Sequence, residues 1–412
     1  IGARVLLGIG GALMMPSTLS IVRNVFIDPR ERTLAIGIWS AVAGAGAAVG
    51  PIAGGILLEY FRWGTVFLIN VPVMLLLLVL GTRLVPESRD PHPGRWDAPS
   101  ALLSIAGMVA VVYGVKELGT DGFGDVRGLI AGGFGLVLLF VFVRRQLRLD
   151  EPLLDVRLFR NRVFATAVSC NLLTLFGLSG MLFFVSLLFQ YVQGHSPLAA
   201  GVRMLPLTLA AALAAVLVGR ITPRVGVRVP LAGGVLVIGV SLLSLGFAAP
   251  SGEYLAIALA LIGVGAGAGL ALTASSDTII SSAAPEKAGG AAAISETGYE
   301  LGTALGVAVL GTVMNAIYRD AIDAVPGIAP GVSGVARESL PSAAQVVAEL
   351  PADLGAALLV AAREAFLDGL QATTIIGATV MIGVGLAAWF LLRSSSGTVP
   401  TGPPRLDVVR SK

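Results

Sequence analysis

Residues 34–73 have the sequence LAIGIWSAVAGAGAAVGPIAGGILLEYFRWGTVFLINVPV, an apolar stretch that only the short turn EYFR interrupts. Gly46, Gly50 and Gly54 recur at every fourth residue, so on a helix they share one face that a neighbouring backbone can approach closely. Pro51 lies among them and removes a backbone donor, which bends or loosens a helix at that point. The stretch therefore predicts a membrane helix that packs tightly and flexes.

The composition of the whole chain favours a membrane protein. Of its 412 residues, 55% are hydrophobic and 13% are charged, with a mean hydropathy of +0.87, whereas soluble domains carry about 25% charged residues. The single cysteine, Cys170, excludes an intrachain disulfide, and neither His92 nor His195 has the spacing of a metal ligand. We therefore expect no metal and no cofactor. The net charge of +3 is too small to indicate nucleic acid as a partner.

Eleven segments are long and apolar enough to be spanning helices, which need about 20 residues each. The predicted fold class is therefore an all-α polytopic membrane protein. The approximate bounds of the segments are 1–22, 34–58, 64–82, 98–115, 127–143, 163–190, 202–218, 231–249, 254–279, 290–317 and 369–392. Because the first residues already resemble the interior of a hydrophobic helix, we expect an N-terminal part of the protein to be missing from this chain.

The basic residues between these segments predict the orientation. If the loop after the first segment is cytoplasmic, so are every second loop and the tail, and together they hold 20 of the 28 Lys and Arg residues. Cytoplasmic loops are enriched in these residue types. We therefore expect a multi-pass protein of the plasma (inner) membrane, with Ile1 facing outward and the C-terminus in the cytoplasm.

Two longer connections lie between the predicted helices. Residues 144–162 alternate charged side chains with Leu and Phe, which is typical either of a solvated linker or of a short amphipathic segment at the membrane interface. Residues 318–368 are predicted to be external. Their helical periodicity, broken at Pro351, indicates a small helical cap.

The segment 290–317 carries two carboxylates, and ionisable groups within a membrane are functional candidates because they are costly there. Glu296 and Glu300 are four residues apart and share a face, whereas Gly298, Gly302 and Gly306 lie about 200° around the helix from them. We expect the glycines to pack against a neighbour and the carboxylates to face a cavity. There, Glu300 would couple proton binding to release of a cationic substrate. Alternatively, each acid pairs with a nearby Arg or Ser and only fixes helix packing.

Two further charged residues lie in or beside apolar segments. Asp277 lies at a depth similar to that of Glu296, where it either joins the carboxylates or is an interfacial acid among hydroxyl groups. Arg4 lies near the outer boundary of the first segment, where its side chain is either buried or directed outward.

Four blocks of sequence resemble motifs of the major facilitator superfamily. RVLLGIGGALMMP, which begins at Arg4, is similar to the fourth-helix motif of that superfamily, whereas FRWGTVFLINVP and ISETGYELGTALGVAVLG resemble its fourteen-helix drug:proton antiporters in particular. The fourth block is similar to the antiporter signature and consists of Gly46, Gly50, Pro51, Gly54 and Gly55. The chain thus resembles an N-terminally truncated member of the fourteen-helix drug:proton antiporter family.

This resemblance implies a major facilitator fold in which 11 of an expected 14 transmembrane helices are present. It divides the chain into the remainder of the N-terminal helix bundle (1–82), two additional central helices with a cytoplasmic connector (83–162), a C-terminal six-helix bundle with the external loop 318–368 (163–392), and a cytoplasmic tail (393–412). It also implies alternating access by rocking of two bundles around a site between them. Glu296 and Glu300 match acidic positions implicated in coupling or in binding cationic drugs.

The loop GRITPRVGVR is similar to the second-half copy of the cytoplasmic gating motif of that superfamily. It keeps Gly219, Arg224, Gly226 and Arg228, but Pro223 stands where the motif carries an acid. The resemblance therefore implies a weakened cytoplasmic latch.

Together these features predict proton-coupled efflux of amphipathic, often cationic compounds by a monomer in the lipid bilayer. One alternative is a dedicated exporter of a single endogenous metabolite or antibiotic. A different class is a membrane sensor on the same fold that transports nothing. An enzyme is not expected, because the GFGD sequence at residues 122–125 lies in a predicted outer loop without a partner aspartate at matching depth, and HExxH is absent.

Overall fold

Long apolar runs form the helices of this chain, since a helix satisfies its own backbone N–H and C=O groups within a bilayer. The computed structural model describes residues 52–84, 97–121, 126–149, 152–282, 288–326, 330–347 and 350–392, together with scattered positions among the first 50. The helices are α1 (52–60), α2 (Asn70–Leu84), α3 (Ala98–Asp121), α4 (Val126–Gln146), α5 (Arg162–Leu187), α6 (Pro197–Arg203), α7 (Leu205–Val225), α8 (Gly234–Ser251), α9 (Tyr254–Ser281), α10 (Ala288–Asp323), α11 (Pro330–Ala336), α12 (Leu340–Val346) and α13 (Ala352–Leu391).

Nine helical stretches within the described ranges are long and apolar enough to cross a membrane. Two of them combine neighbouring α-helices: Thr65–Leu84 joins the short helix Thr65–Leu68 to α2, and Pro197–Val225 joins α6 to α7. They correspond to the nine predicted segments from 64–82 onward, and no strand occurs in these ranges, so the prediction of an all-α polytopic protein is confirmed. The predicted segments 1–22 and 34–58 lie largely outside the described residues.

The last helix is longer than predicted. The sequence analysis placed its start at residue 369, but α13 begins at Ala352 and continues without interruption for 40 residues. The predicted start is wrong because charged side chains between 352 and 368 interrupt the apolar run without ending the helix. Pro351 occupies the N-cap of α13 and separates it from α12. The segment 318–368 is therefore mostly helical in its described part, with α11 and α12 between the ends of α10 and α13.

Six long helices, α5, α7, α8, α9, α10 and α13, pack into one bundle. Helix α5 contacts α9, α10 and α13, while α8 packs between α9 and α13. One cluster of buried apolar side chains runs through these helices from Phe164 to Leu392. Glycines allow the closest approaches: a Cβ on Gly234 of α8 would lie 2.7 Å from the carbonyl oxygen of Gly267 of α9.

Helices α3 and α4 form a separate hairpin that contacts the bundle through α10. Its two helices meet at Gly114 and Gly132, where a Cβ on Gly114 would lie 2.7 Å from the Cα of Gly132. Because small residues let helix backbones approach in a membrane, these glycines hold the hairpin together. The hairpin in turn places one face of α3 opposite α10.

A polar cluster closes the hairpin at the start of α3. Arg145 donates from Nη2 to Oδ1 of Asp97 at 2.8 Å and from Nε to Oδ2 at 3.2 Å, and the hydroxyl of Ser100 also donates to Asp97. These hydrogen bonds, from Arg145 first, lower the pKa of Asp97 from 3.8 to about 2. Gln146, which is buried, donates to Ser100 at 2.7 Å and accepts from the backbone N–H of Leu154 at 3.0 Å. The connector after α4 is thereby fixed to the hairpin.

Candidate functional site

The glycines of α10 pack against α5. A Cβ on Gly302 would overlap the carbonyl oxygen of Leu172, and a Cβ on Gly306 would overlap that of Phe176. The third glycine, Gly298, is looser, since its nearest neighbour would be 3.8 Å from a Cβ. Two of the three predicted packing positions are therefore points where only a glycine fits.

Hydrogen bonds between α5 and α10 fix the register of this contact. The side-chain amide of Asn171 donates to the carbonyl oxygen of Ser295 at 2.9 Å and to its hydroxyl at 3.2 Å. Ser179 donates to the carbonyl oxygen of Thr303 at 3.2 Å. Asn171 is fully buried, so its two bonds form away from solvent. They fix the rotation of α10 about its own axis, so that Ser295, the residue before Glu296, faces α5.

The two carboxylates lie on the other side of α10. Glu296 is half-buried and Glu300 is exposed, and the two are near enough to interact electrostatically. In the part of the chain that the structure describes, neither carboxylate has a hydrogen-bond or ion-pair partner. The alternative in which each acid pairs with a neighbouring Arg or Ser to fix packing is therefore not observed there.

An open groove of about 540 Å³ lies between α10 and α3, within the size range of small-molecule sites. The groove is lined by Val112, Lys116, Glu300, Thr303, Ala304, Val307, Ala308, Gly311, Thr312 and Asn315. Its wall is mainly apolar, with one acid, one base, two hydroxyl groups and one amide. Such a surface can bind a molecule that combines an apolar body with a positive charge.

The threonines of the groove already use their hydroxyl hydrogens. Thr303 donates to the carbonyl oxygen of Tyr299 at 3.0 Å, and Thr312 donates to that of Ala308 at 2.7 Å. Their oxygens therefore offer lone pairs to the groove. A bound molecule meets mostly hydrogen-bond acceptors along α10, which favours donors and cations over anions.

Sequence reasoning missed Lys116 as a site residue. The predicted segment 98–115 ended just before it and left Lys116 in a loop, whereas α3 continues to Asp121. Had the predicted segment been extended to the end of α3, Lys116 would have been recognised as a charged residue inside an apolar helix. Its position opposite α10 depends on tertiary packing and could not be found from the sequence.

Asp277 is not brought to the groove. It is exposed on α9 and is not among the residues that line the groove. Its neighbours on α9 include Thr278, whose hydroxyl donates to the carbonyl oxygen of Ala274 and is buried. Asp277 therefore lies outside the groove that Glu300 lines, next to a hydroxyl-bearing residue of α9.

The predicted antiporter signature is described only in part, since Pro51 lies outside the described residues, as does Arg4 of the fourth-helix motif. No described atom would lie within 4 Å of a Cβ on Gly46, Gly50 or Gly54. Gly55 is different, because its Cβ would lie 2.7 Å from the Cα of Leu198 at the start of α6.

A hydrogen bond supports the contact at Gly55. The hydroxyl of Ser196, which caps α6, donates to Oε2 of Glu59 at 3.0 Å. Helix α1 and the start of α6 therefore meet at the end of α1.

His195 comes directly before Ser196 in the chain. Burial lowers its pKa below 6.5, and the nearby positive charge of Arg203 lowers it further.

Most of the predicted gating loop is helical, since α7 continues to Val225, and only a short turn at Gly226 separates it from the π-helical turn Val229–Gly233. Gly219 and Arg224 are exposed on α7, and Gly226 ends that helix with a φ of 75°, a value that favours glycine. The guanidinium of Arg228 lies 4.1 Å from the ring centroid of Trp389 on α13. A cation–π contact thus attaches this loop to the last helix, a contact that the sequence analysis did not foresee.

The sequence of this chain is similar to a known protein family and to several named proteins. A family model described as "Major Facilitator Superfamily" matches residues 1–307. The chain is 42% identical over 382 residues to the multidrug efflux pump LfrA of Mycolicibacterium smegmatis, covering 93% of this chain and 76% of that protein. It is 33% identical over 403 residues to the methyl viologen resistance protein SmvA of Salmonella typhimurium, covering 95% and 79%. It is 32% identical over 396 residues to the tetracenomycin C resistance and export protein of Streptomyces glaucescens, covering 93% and 73%.

Proposed function

Because the chain belongs to the major facilitator superfamily, we propose that it exports amphipathic, often cationic compounds in exchange for protons. It is a multi-pass inner-membrane transporter rather than an enzyme. Relatives named as multidrug efflux pumps and resistance proteins support efflux of more than one compound.

The single observation that carries this proposal is the position of Glu300. It lies on the wall of the groove, on the side of α10 that faces away from α5. A carboxylate in mainly apolar surroundings attracts a cation, and the apolar residues around it accept the body of an amphipathic compound. Glu300 is therefore the proposed binding and coupling residue.

Glu296 contributes to coupling through its proximity to Glu300. Two ionised carboxylates close together repel each other, so binding of a proton or of a cationic substrate relieves the repulsion. The two ligands then compete for the same negative charge. Proton entry from outside neutralises the pair and releases the substrate, and departure of the proton to the cytoplasm makes the pair ready for the next substrate.

The test is transport into inverted membrane vesicles by the protein expressed from its native gene. The wild type should accumulate a cationic dye when the vesicle interior is acidified, and Glu300→Gln should lose at least about tenfold of this gradient-driven rate. Glu253→Gln is the matched control, since Glu253 is an exposed carboxylate in the turn before α9. Full gradient-driven transport by Glu300→Gln at normal expression would refute the proposed coupling role.

We also propose that the C-terminus lies in the cytoplasm and that the transporter acts as a monomer. The variant Lys412→Cys should react with a membrane-impermeant maleimide in inverted vesicles and not in intact cells. The natural Cys170 is fully buried, so it provides a low background. Equal labelling in both preparations would contradict the orientation.

A dedicated exporter of a single metabolite or antibiotic is the second candidate, because one relative is named for resistance to tetracenomycin C and its export. A panel of structurally unrelated cationic and neutral drugs distinguishes the two. Efflux of several members supports the multidrug function, whereas efflux of one compound alone supports the dedicated exporter.

A further inference from the structure

Lys116 lines the same groove as Glu300 but comes from the other wall. It lies on α3, one helical turn after Val112, the only other α3 residue among those that line the groove in the described part of the chain. All eight remaining lining residues belong to α10. The hairpin α3–α4 therefore contributes one charge to the groove, and that charge is positive.

We propose that Lys116 is a specificity-determining residue that makes the groove prefer substrates with one positive charge over dications. The inference rests on the proposed function, since it concerns the same groove. A single cation near Glu300 is attracted by the carboxylate, while its apolar body covers Val307 and Ala304. A second cation on the same molecule has to lie elsewhere in the groove, where the ammonium group of Lys116 repels it.

The groove offers a second cation little compensation. Outside Glu300, its polar groups are the acceptor lone pairs of Thr303 and Thr312 and the amide of Asn315. These neutral groups solvate a charge only weakly compared with a carboxylate. The balance between the carboxylates of α10 and the ammonium of Lys116 on the opposite wall therefore sets the preferred charge of the substrate.

Replacement of Lys116 changes this balance whatever else its ammonium contacts, because removing a positive charge always makes the nearby potential more negative. The energy of a charge in that potential is proportional to the charge, so a dication gains twice as much as a monocation. The ratio of the two affinities, rather than either affinity alone, is thus the quantity that reports the role of Lys116.

Ethidium and propidium are suitable probes, since they share one planar aromatic cation and propidium carries an additional quaternary ammonium group. Binding is measured by fluorescence anisotropy with the purified protein, expressed from its native gene, in nanodiscs of uncharged lipid. Lys116→Gln should tighten ethidium binding about threefold and propidium binding about tenfold, shifting the ratio about threefold towards propidium.

Two variants control for other effects. Lys116→Arg keeps the charge and should leave the ratio unchanged. Arg144→Gln removes one positive charge from the same hairpin outside the groove, where the guanidinium of Arg144 lies over the ring of Phe140, and it should also leave the ratio unchanged. A ratio in Lys116→Gln equal to that of the wild type, or an equal shift in Arg144→Gln, would overturn the proposal.

Glu300→Gln in the same assay separates this inference from the proposed function. If it weakens both dyes while Lys116→Gln fails to move the ratio, the role of Lys116 is wrong and the groove remains the binding site. If it leaves both dyes unaffected while Lys116→Gln moves the ratio, the role of Glu300 is wrong and that of Lys116 stands. If the wild type binds neither dye, both proposals are wrong.

Discussion

The two sides of α10 use the same four-residue spacing for opposite purposes. On one side, Gly302 and Gly306 bring the helix so close to α5 that a methyl group would overlap carbonyl oxygens. On the other side, Glu296 and Glu300 face away from this contact, and Glu300 borders an open groove. One helix thus holds a rigid contact on one side and a ligand surface on the other, within neighbouring turns. The packed side fixes the position of the carboxylates, and the open side leaves them accessible.

The packed side should be the more sensitive to added volume. Gly306→Val places a side chain against the Phe176 carbonyl, which belongs to a backbone and cannot move aside, so it should lower the unfolding free energy by about 3 kcal/mol or more. Gly311→Val on the same helix is the control, because no described atom lies within 4 Å of a Cβ there. Thermal unfolding in detergent measures both. Equal destabilisation by the two changes would remove the distinction between the sides.

Loss of a hydrogen bond should also cost more stability on the packed side of α10 than on the groove side. Asn171→Ala removes the bonds to Ser295 and should cost about 0.6–2 kcal/mol, the range for hydrogen bonds between membrane helices. Thr312→Val, on the groove side, removes only a bond within α10 and should cost less than about 0.5 kcal/mol. Denaturation in mixed micelles gives the two values. A larger loss of unfolding free energy for Thr312→Val would mean that contacts on the groove side also stabilise the fold.

The far wall of the groove is formed by the hairpin α3–α4, and low pH should reduce the stability of this hairpin. The pKa of Asp97 is about 2 in the folded protein and 3.8 for an ordinary aspartate. Its pairing with Arg145 therefore stabilises the hairpin above about pH 4, and this contribution is lost as the pH falls from there towards about 2.

Wild type and Asp97→Asn should therefore differ in thermal unfolding at about pH 6 and converge as the pH falls below about 4. The change should be modest, because the Arg145 side chain is 39% exposed and solvent screens the ion pair. A difference that persists unchanged at about pH 3 would mean that the variant acts by some route other than loss of the Asp97 charge.

The smallest effect on stability is expected for an apolar residue of the groove. Val307 is 52% exposed, so Val307→Ala should change the unfolding free energy by less than about 0.5 kcal/mol. It should nevertheless weaken the binding of an amphipathic dye about threefold, because part of the apolar contact is lost. Unfolding and dye titration on the same sample separate these two quantities. A change in stability without a change in affinity would place the substrate elsewhere.

The sequence was sufficient to predict features that depend on one helix alone. Long apolar runs identified the spanning segments from residue 64 onward, and the spacing of Gly302 and Gly306 predicted the packed side of α10. The same spacing predicted that Glu300 lies away from α5. Each of these follows from helical geometry, which is set by residue number.

Features that depend on two distant segments were not predictable in this way. Lys116 reaches the groove only because α3 packs on α10, and Arg228 meets Trp389 only because the turn before α8 packs on α13. The start of α13 was misplaced for a different reason. A charged residue marks where a helix leaves the bilayer, which is not where the helix ends.

The length of α13 has a mechanical consequence. Its 40 residues form a rod of about 60 Å, whereas the hydrocarbon core is about 30 Å thick, so nearly half of the rod projects beyond it. A tilt of the bundle by about 10° would displace the far end of this projection by about 5 Å. The first turns of α13, near Ala352, therefore move further than the helices within the bilayer when the bundle rotates. A spectroscopic label attached there would register changes in the membrane domain from outside it.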